Sequence, residues 1–222
     1  MKDKKGLHSA AFVSVAVVLF LIMVSSTASA ATLQVDAKHY KTIQSAVNAA
    51  HSGDTIKVAQ GTYKENILIT DKQLTITGIG FPVLYGARLY GGVTGMLYGL
   101  SFNKNGAKLS DGVRVTIRNC IFTNCGIDIS GQTCTKNAIL NNKITNGGIV
   151  LSETYDNIIQ GNYIYKCKIG LSMGMRATCK SVTKNTFSNC QVAAQLEKVP
   201  AGMIGNTYTK NKVNIKIVPV DV

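Results

Sequence analysis

The sequence predicts an all-β protein, a parallel β-helix in which short strands coil repeatedly around one axis. Three observations lead to this prediction: an internal repeat of about 21 residues, apolar alternation with a period of two, and no helical run between repeats. Each repeat is too short to bury its own apolar residues, so successive repeats must stack. A leucine-rich repeat is the competing solenoid, but Ile, Val and Asn dominate here. We expect seven or eight coils within about 54–216, in a single domain spanning 31–222.

Residues 1–30 are predicted to be a secretory signal peptide. The basic start is formed by Lys2, Lys4 and Lys5. An apolar run over 10–24 follows, and it ends in small residues, with cleavage expected after Ala30. The alternative is an uncleaved anchor, for which the run is short against the roughly 20 residues that span a bilayer. We therefore expect a secreted or extracytoplasmic protein with no membrane segment after cleavage.

A single amphipathic helix is predicted at about 42–52. Its apolar positions recur at i, i+3, i+4 and i+7, behind the capping residue Thr42 and ahead of Gly53. These positions are Ile43, Ala46, Val47 and Ala50. From residue 55 onward the apolar period changes to two, which predicts strands separated by turns.

Five Asn residues mark the repeat, and each is followed two positions later by an apolar residue. They are Asn119, Asn142, Asn162, Asn185 and Asn206, at steps of 23, 20, 23 and 21 residues. A side-chain amide both donates and accepts hydrogen bonds, so Asn residues stacked about 4.8 Å apart can bond along the stack. We expect these five residues to form a structural ladder that satisfies buried turn groups.

All six Cys follow the predicted signal peptide, and an even number in an exported chain permits disulfides. Cys167 and Cys190 share one offset from the ladder Asn in adjacent coils, so their Cα atoms should lie about 4.8 Å apart, within bridging range. A stack of two reduced thiols is the alternative. No zinc site is predicted, because no Cys pair has metal-binding spacing and the mature chain keeps only two His.

The segment 40–67, with Gly-Asp-Thr-Ile at 53–56 and Gly-Thr-Tyr-Lys-Glu at 61–65, resembles the opening of right-handed β-helix proteins of the pectin-lyase-like superfold. The Asn-x-Ile repeats downstream are similar to the NosD-type, carbohydrate-associated β-helix repeats of secreted proteins. The resemblance covers about 40–216 and implies a right-handed coil whose N-terminal end is plugged by the helix. It leaves function open, because esterases, lyases, hydrolases and non-catalytic surface proteins share this opening.

No catalytic residues are predicted. Enzymes of this superfold attack acidic polysaccharides with clustered carboxylates, often with an Arg as base, whereas the carboxylates of this chain are dispersed. Asp111, Asp128 and Asp156 fall in successive coils but at unequal offsets from the coil Asn. Asp54 and Glu65 match first-coil positions of the superfold, where turn and cap roles are expected. The catalytic elements of pectin methylesterases, polygalacturonases and pectate lyases are missing.

The basic excess is the remaining functional indication. The sequence has 24 Lys and Arg against 11 Asp and Glu, and removing the signal peptide leaves 21 against 10, a net charge of +11. Such a charge on an exported chain favours an anionic partner, and no aromatic-basic motif points to nucleic acid. Equal coil offsets are shared by two pairs of lysines, Lys166 with Lys210 and Lys168 with Lys212. They are candidate ligand-binding residues, with a plain solvated face as the alternative.

The sequence thus predicts a secreted, non-catalytic β-helix that binds an anionic surface or extracellular polysaccharide, with no cofactor. A polysaccharide lyase, hydrolase or esterase of the same superfold is the alternative. A third possibility is a soft-metal site, because Met173 and Met175 lie near Cys179 and the NosD-type resemblance carries a copper association. Thioether and thiolate ligands suit Cu(I), although Met also fills irregular cores.

Overall fold

A computed structural model of the chain describes residues 29–174 and 176–219. Nearly all of the predicted signal peptide and Met175 lie outside the described residues. The described chain contains one α-helix and 21 strands, and every strand pair is parallel. The predicted all-β fold class, a parallel β-helix with a short N-terminal helix, is confirmed. None of the described helical structure is long and apolar enough to cross a membrane.

The chain begins with β1 (Thr32–Val35) and α1 (Ile43–Ala49) and then makes eight coils. Three coils of two strands come first: β2 (Thr55–Val58) and β3 (Thr62–Thr70), β4 (Gln73–Gly78) and β5 (Val83–Tyr90), β6 (Thr94–Tyr98) and β7 (Ser101–Leu109). Coils four and five contain β8 (Arg114–Arg118), β9 (Ile121–Thr123), β10 (Ile127–Ser130), β11 (Ala138–Leu140), β12 (Lys143–Thr145) and β13 (Ile149–Ser152). Coils six to eight contain β14 (Asn157–Gln160), β15 (Tyr163–Tyr165), β16 (Ile169–Gly174), β17 (Cys179–Thr183), β18 (Thr186–Ser188), β19 (Val192–Leu196), β20 (Thr207–Thr209) and β21 (Val213–Ile217).

The coils form three faces. Face 1 is an 8-stranded sheet in the order β1-β2-β4-β6-β8-β11-β14-β17. The second sheet has 13 strands and divides at β7, whose first residues pair with β9 and whose last residues pair with β10. Face 2 therefore consists of β9, β12, β15, β18 and β20, and face 3 of β10, β13, β16, β19 and β21. The long strands β3, β5 and β7 run through both of these faces.

The core is a set of apolar columns that run along the axis. On face 2 the inward column places Phe102 on Phe122, with ring centroids 4.7 Å apart. Ile144 and Ile164 continue this column and are fully buried. Burying one such side chain stabilises the fold by about 1.5–3 kcal/mol. Because the inward apolar residues of the middle coils are covered by the coil above and the coil below, stability is shared between neighbours.

The helix α1 closes the N-terminal end and is shorter than predicted, since Ala50 is already extended with φ −69° and ψ 143°. The Glu65 carboxylate accepts hydrogen bonds from the backbone N–H groups of Ile43 and Gln44, at 3.0 and 2.9 Å. At the other end of the helix, Lys72 Nζ donates to the backbone carbonyl of Ala50 at 2.8 Å. An acid at the helix start and a cation at its end both complement the helix dipole.

Candidate functional site

The predicted Asn ladder is the first arrangement that the coils create. The amide Nδ2 of Asn142 donates to Oδ1 of Asn162 at 3.0 Å, Asn162 to Asn185 at 2.9 Å, and Asn185 to Asn206 at 2.9 Å. Each of these Oδ1 atoms also accepts the backbone N–H of the Asn one coil earlier. The ladder satisfies buried turn groups and leaves no amide free for a ligand, so its role is structural.

Asn119 does not belong to this ladder, which corrects the sequence prediction. The register pairs Ile121 with Lys143, so Cys120 occupies the ladder position in that coil. Asn142 Oδ1 accepts the backbone N–H of Cys120 at 2.9 Å. Asn119 lies one residue earlier, in the left-handed region with φ +53°, a conformation that Asn tolerates better than most residues.

A second Asn pair was missed by the sequence analysis. Asn137 and Asn157 are fully buried at the entrance to face 1, and the backbone N–H of Asn137 donates to Oδ1 of Asn157 at 3.0 Å. Asn137 Oδ1 accepts in turn from the backbone N–H of Val115 at 2.8 Å. Both residues precede a ladder Asn by five positions, and this spacing was the available sequence signal.

Cys167 and Cys190 lie at the turn between faces 2 and 3 in adjacent coils. Their Cα atoms are 4.6 Å apart, and the structure joins the two sulfurs as a disulfide. The other four cysteines are free thiols. Oxidation of this pair in the exported protein stays a prediction, for which a test is given below.

The four predicted ligand-binding lysines occupy the same turn, and all are exposed. The register of β15, β18 and β20 puts Lys166 and Lys210 at one turn position two coils apart, with Asn189 between them. Lys168 and Lys212 are likewise two coils apart, with Gln191 between them. Two coil steps separate the members of each pair by about 10 Å of backbone. The lysines thus form a sparse row along the edge between faces 2 and 3.

A groove on face 3 gathers charged residues that the sequence analysis did not combine. Arg88, Lys108 and Asp128 are register partners on β5, β7 and β10, and their side chains form one outward column. They line a cavity of about 210 Å³ together with Ser110 and Ser130. A second cavity of about 210 Å³ shares Lys108 and Asp128. We refer to the two cavities together as the face 3 groove.

Glycines make the floor of the face 3 groove. A Cβ atom on Gly106 would collide with the carbonyl oxygen of Gly126, and one on Gly126 would collide with that of Gly148. Only glycine fits in this column, because the backbone of the neighbouring coil occupies the place of a Cβ atom, and Gly126 and Gly148 line the groove. The sequence signal for the site was a 20-residue step, which relates Arg88, Lys108 and Asp128.

The cations of this surface are not neutralised by the protein. In residues 29–174 and 176–219, no Lys or Arg side chain lies within salt-bridge distance of a carboxylate; the two ion pairs there involve His39 and His51. The two groove cations, Arg88 and Lys108, are both exposed. Asp128 is the one carboxylate among the groove residues named above. The groove therefore offers two cations and one acceptor, without a pair of carboxylates for acid–base catalysis.

A larger cavity of about 550 Å³ lies beside β16 and β17 and brings together two sulfur side chains, Met173 and Cys179. Burial raises the pKa of the Cys179 thiol to about 12, so the thiol is protonated at neutral pH. The backbone N–H of Arg176 donates to the Glu197 carboxylate at 3.2 Å at the same cavity. Within the described part of the chain, no group of three or more His, Cys, Asp and Glu side chains is arranged to hold a metal ion.

Comparison with known proteins gives one match. A family model described as "Periplasmic copper-binding protein (NosD)" matches residues 34–220. The matched segment contains α1, every coil, the face 3 groove and the sulfur-lined cavity, and it confirms the resemblance to NosD-type repeats. No curated protein and no solved structure matches the chain.

Proposed function

The chain belongs to the NosD family, and from this premise we propose that it is an extracytoplasmic, non-catalytic β-helix that binds an anionic polysaccharide. The description of the family as periplasmic supports the location, as does the signal peptide read from residues 1–30. The observation that carries the binding proposal is the set of exposed Lys and Arg side chains without carboxylate partners. Such uncompensated charge attracts a polyanion and raises its rate of association.

The face 3 groove indicates that a bound polymer lies along the axis of the β-helix. Its outward column places one side chain per coil, about every 4.8 Å along the axis, and continues from Asp128 through Val150, Ser172 and Gln195. Lys216 on β21 belongs to the same column as Arg88 and Lys108, through β13, β16 and β19. A linear polymer lying along the axis meets this column at several points, which strengthens weak single contacts.

The uncharged groups of the groove favour a sugar polymer over a simple polyanion. Ser110 and Ser130 carry hydroxyls that both donate and accept, and Asp128 accepts hydrogen bonds from hydroxyl groups. The Asp128 carboxylate, one coil from Lys108, would repel a densely charged chain. This combination of cations, carboxylate and hydroxyls suits a polymer whose charges are spaced and whose hydroxyls lie between the charges, as in a polyuronate.

The test is binding of a polyuronate at increasing salt concentrations, measured by calorimetry. The double substitution Arg88→Ala and Lys108→Ala should weaken binding about 5- to 10-fold, because each exposed ion pair contributes up to about 1 kcal/mol. Lys57→Ala, which removes an exposed charge from face 1, is the matched control and should have little effect. Failure of the wild-type protein to bind at low salt, or an equal loss in the control, would contradict the proposal. Shortening of the polymer during incubation would instead support an enzyme that uses Asp128.

A second candidate function is Cu(I) binding, favoured by the presence of Met173 and Cys179 in one cavity and by the description of the family. Both sulfurs are of the soft class that Cu(I) prefers, so the donor set fits this ion, and when bound the ion would be held by the two sulfurs. The Cys179 thiol must first lose its proton. Because its pKa is about 12, affinity should rise about tenfold per pH unit through the neutral range.

Competition titration with a Cu(I) chelator tests this candidate. Cys179→Ser should abolish the tight phase of binding and its pH dependence. Cys134→Ser is the matched control, since Cys134 is also a buried free thiol but does not line this cavity. Equal affinity of the wild type and the Cys179→Ser variant would exclude the site.

A further inference from the structure

Two tyrosines stand on the outer surface of face 2. Along β15 the side chains alternate, so that Ile164 is buried while Tyr163 and Tyr165 point outward. The ring centroids are 6.0 Å apart and the ring planes differ by 15°, so the two rings are stacked. Tyr163 is 41% exposed. We refer to this pair as the Tyr shelf.

The side chains beside the Tyr shelf leave it accessible. In the next coil its register partners are Thr186 and Ser188, which are much shorter than Tyr. Thr186 is partly exposed, whereas Ser188 is buried and its Oγ accepts a hydrogen bond from Asn189 Nδ2. In the preceding coil the partner of Tyr165 is Thr145. The short side chains of Thr145 and Thr186 leave space beside the rings, and their hydroxyls can bond a ligand. Within the described residues, neither tyrosine hydroxyl has a hydrogen-bond partner in the protein.

Two cations flank the shelf. Lys166 Nζ lies 5.1 Å from the centroid of the Tyr165 ring. Lys143 is the register partner of Tyr163 in the preceding coil and is exposed. Neither lysine is paired with a carboxylate of the described residues. The surface thus combines an exposed aromatic face, free hydroxyls and two free positive charges.

We propose that the Tyr shelf, with Lys143 and Lys166, is a binding subsite for an acidic sugar unit, a uronate residue of a polysaccharide. The C–H face of the pyranose ring packs on Tyr163, and its carboxylate pairs with one of the flanking lysines. Thr186 contacts one of its hydroxyls. This inference rests on the proposed binding of an anionic polysaccharide, and it names the unit that is recognised.

The aromatic face is what selects a sugar. A phosphate polymer satisfies lysines equally well but has no apolar ring face to place on tyrosine. A neutral sugar has the ring face but gains nothing from Lys143 and Lys166. Only an acidic sugar uses both parts of the surface, and the two parts can therefore be tested separately.

The experiment measures binding of three probes, an oligogalacturonate, an inorganic polyphosphate and an uncharged oligosaccharide. Tyr163→Ala should weaken oligogalacturonate binding about 10-fold, while Tyr163→Phe, which keeps the ring, stays within about 2-fold of the wild type. Polyphosphate binding should be the same in all three proteins. Because the chain has no Trp, quenching of tyrosine fluorescence by the oligogalacturonate gives a direct signal, and it should diminish in Tyr163→Ala.

Tyr85→Ala is the matched control. Its ring also carries a lysine, but Lys104 Nζ lies 3.8 Å from the ring centroid and covers that face, so the substitution should not affect sugar binding. Unchanged oligogalacturonate binding by Tyr163→Ala overturns the subsite, as does an equal loss of polyphosphate binding. If the wild type binds neither charged probe, the proposed function itself fails. If Tyr163→Ala weakens binding but the Arg88 and Lys108 substitutions do not, the shelf stands and the groove fails.

Discussion

The two ends of the solenoid differ in how their terminal strands are covered. At the N-terminal end, Gln44 of α1 bonds both backbone groups of Leu68, so the free edge of β3 is occupied by a side chain. At the C-terminal end, every residue of β21 is exposed, and Val213, Ile215 and Ile217 are 40–47% exposed. The coil before it has Ala194 and Leu196 at two of these positions, and both are buried.

This difference shows where the stability of a solenoid comes from. An inward apolar residue is buried only if a further coil or a capping element covers it, and no described element covers β21. Open strand edges with apolar side chains also invite pairing with other chains, which natural proteins usually prevent. The expectation is a gradient in which the same substitution has its largest effect in the middle coils and its smallest at β21.

The largest expected effect is the loss of an inward apolar side chain from a middle coil. Ile164→Ala should lower the free energy of unfolding by about 2–5 kcal/mol, because Ile164 is fully buried between two coils. Ile215→Ala should cost about 1 kcal/mol or less, because 40% of that side chain is already exposed. Denaturant unfolding of both variants measures the difference. Equal losses would mean that β21 is covered in solution.

The disulfide should give the next largest effect, and it joins two coils of the C-terminal half, where no helix is found among residues up to 219. The bond closes a loop of 23 residues, so replacing both cysteines by Ser should cost about 3 kcal/mol. In a domain of this size the melting temperature should fall by about 6–12 °C. Thiol labelling of the exported, denatured protein should modify four cysteines without reductant and six with it. Six modified cysteines without reductant would show that Cys167 and Cys190 are reduced.

The Asn ladder allows a middle coil and the last coil to be compared through buried polar groups. Asn162→Leu should cost about 1–3 kcal/mol, because it leaves the backbone N–H of Asn142 and other buried turn groups unpaired. Asn206→Leu should cost less, since Asn206 is only partly buried in the last coil. The melting temperatures of the two variants measure this difference. An unchanged melting temperature for Asn162→Leu would mean that the ladder hydrogen bonds contribute nothing to the stability of the fold.

Sequence periodicity was sufficient for the architecture because a repeat of about 21 residues with strand patterning has few physical solutions. It also placed all four Asn of the ladder, since buried amides that bond along a stack must recur in register. It misplaced Asn119 because that coil carries Cys at the ladder position, with Asn one residue earlier in a left-handed turn. A polar residue in a turn and one in a ladder look alike until the register is known.

The candidate site was harder to predict for a related reason. Arg88, Lys108 and Asp128 meet only because β5, β7 and β10 pair in one register, while the Asn-based repeat begins at Asn119. Measured from that Asn, Asp128 has an offset unlike those of the other carboxylates, and the earlier coils have no offset at all. The exposure of the Tyr shelf likewise depends on which residues lie beside it in the neighbouring coils.

The smallest expected effect is that of low pH on the N-terminal end. It would reverse the comparison between the two ends, because acid weakens the closed end and leaves the disulfide near the open end unchanged. Backbone hydrogen bonds from Ala31 and His51 lower the pKa of Asp54, and those from His39 and Lys38 lower the pKa of Asp36 to about 2. A carboxyl group whose pKa is depressed on folding stabilises the protein above its unfolded pKa of about 3.9. That contribution is lost as the pH falls through the lower folded value.

The closed end should therefore weaken between about pH 4 and pH 2, while the disulfide near the open end is unaffected by acid. Asp54→Asn should melt below the wild type at pH 6, and the gap should narrow as the pH falls below about 4, because the wild-type carboxylate then loses its charge at its lowered pKa. Asp128→Asn, in a middle coil, is the control for the change of charge alone. A gap that stays constant across this range would mean that Asp54 holds the backbone of Ala31 and His51 through hydrogen bonds that do not depend on its charge.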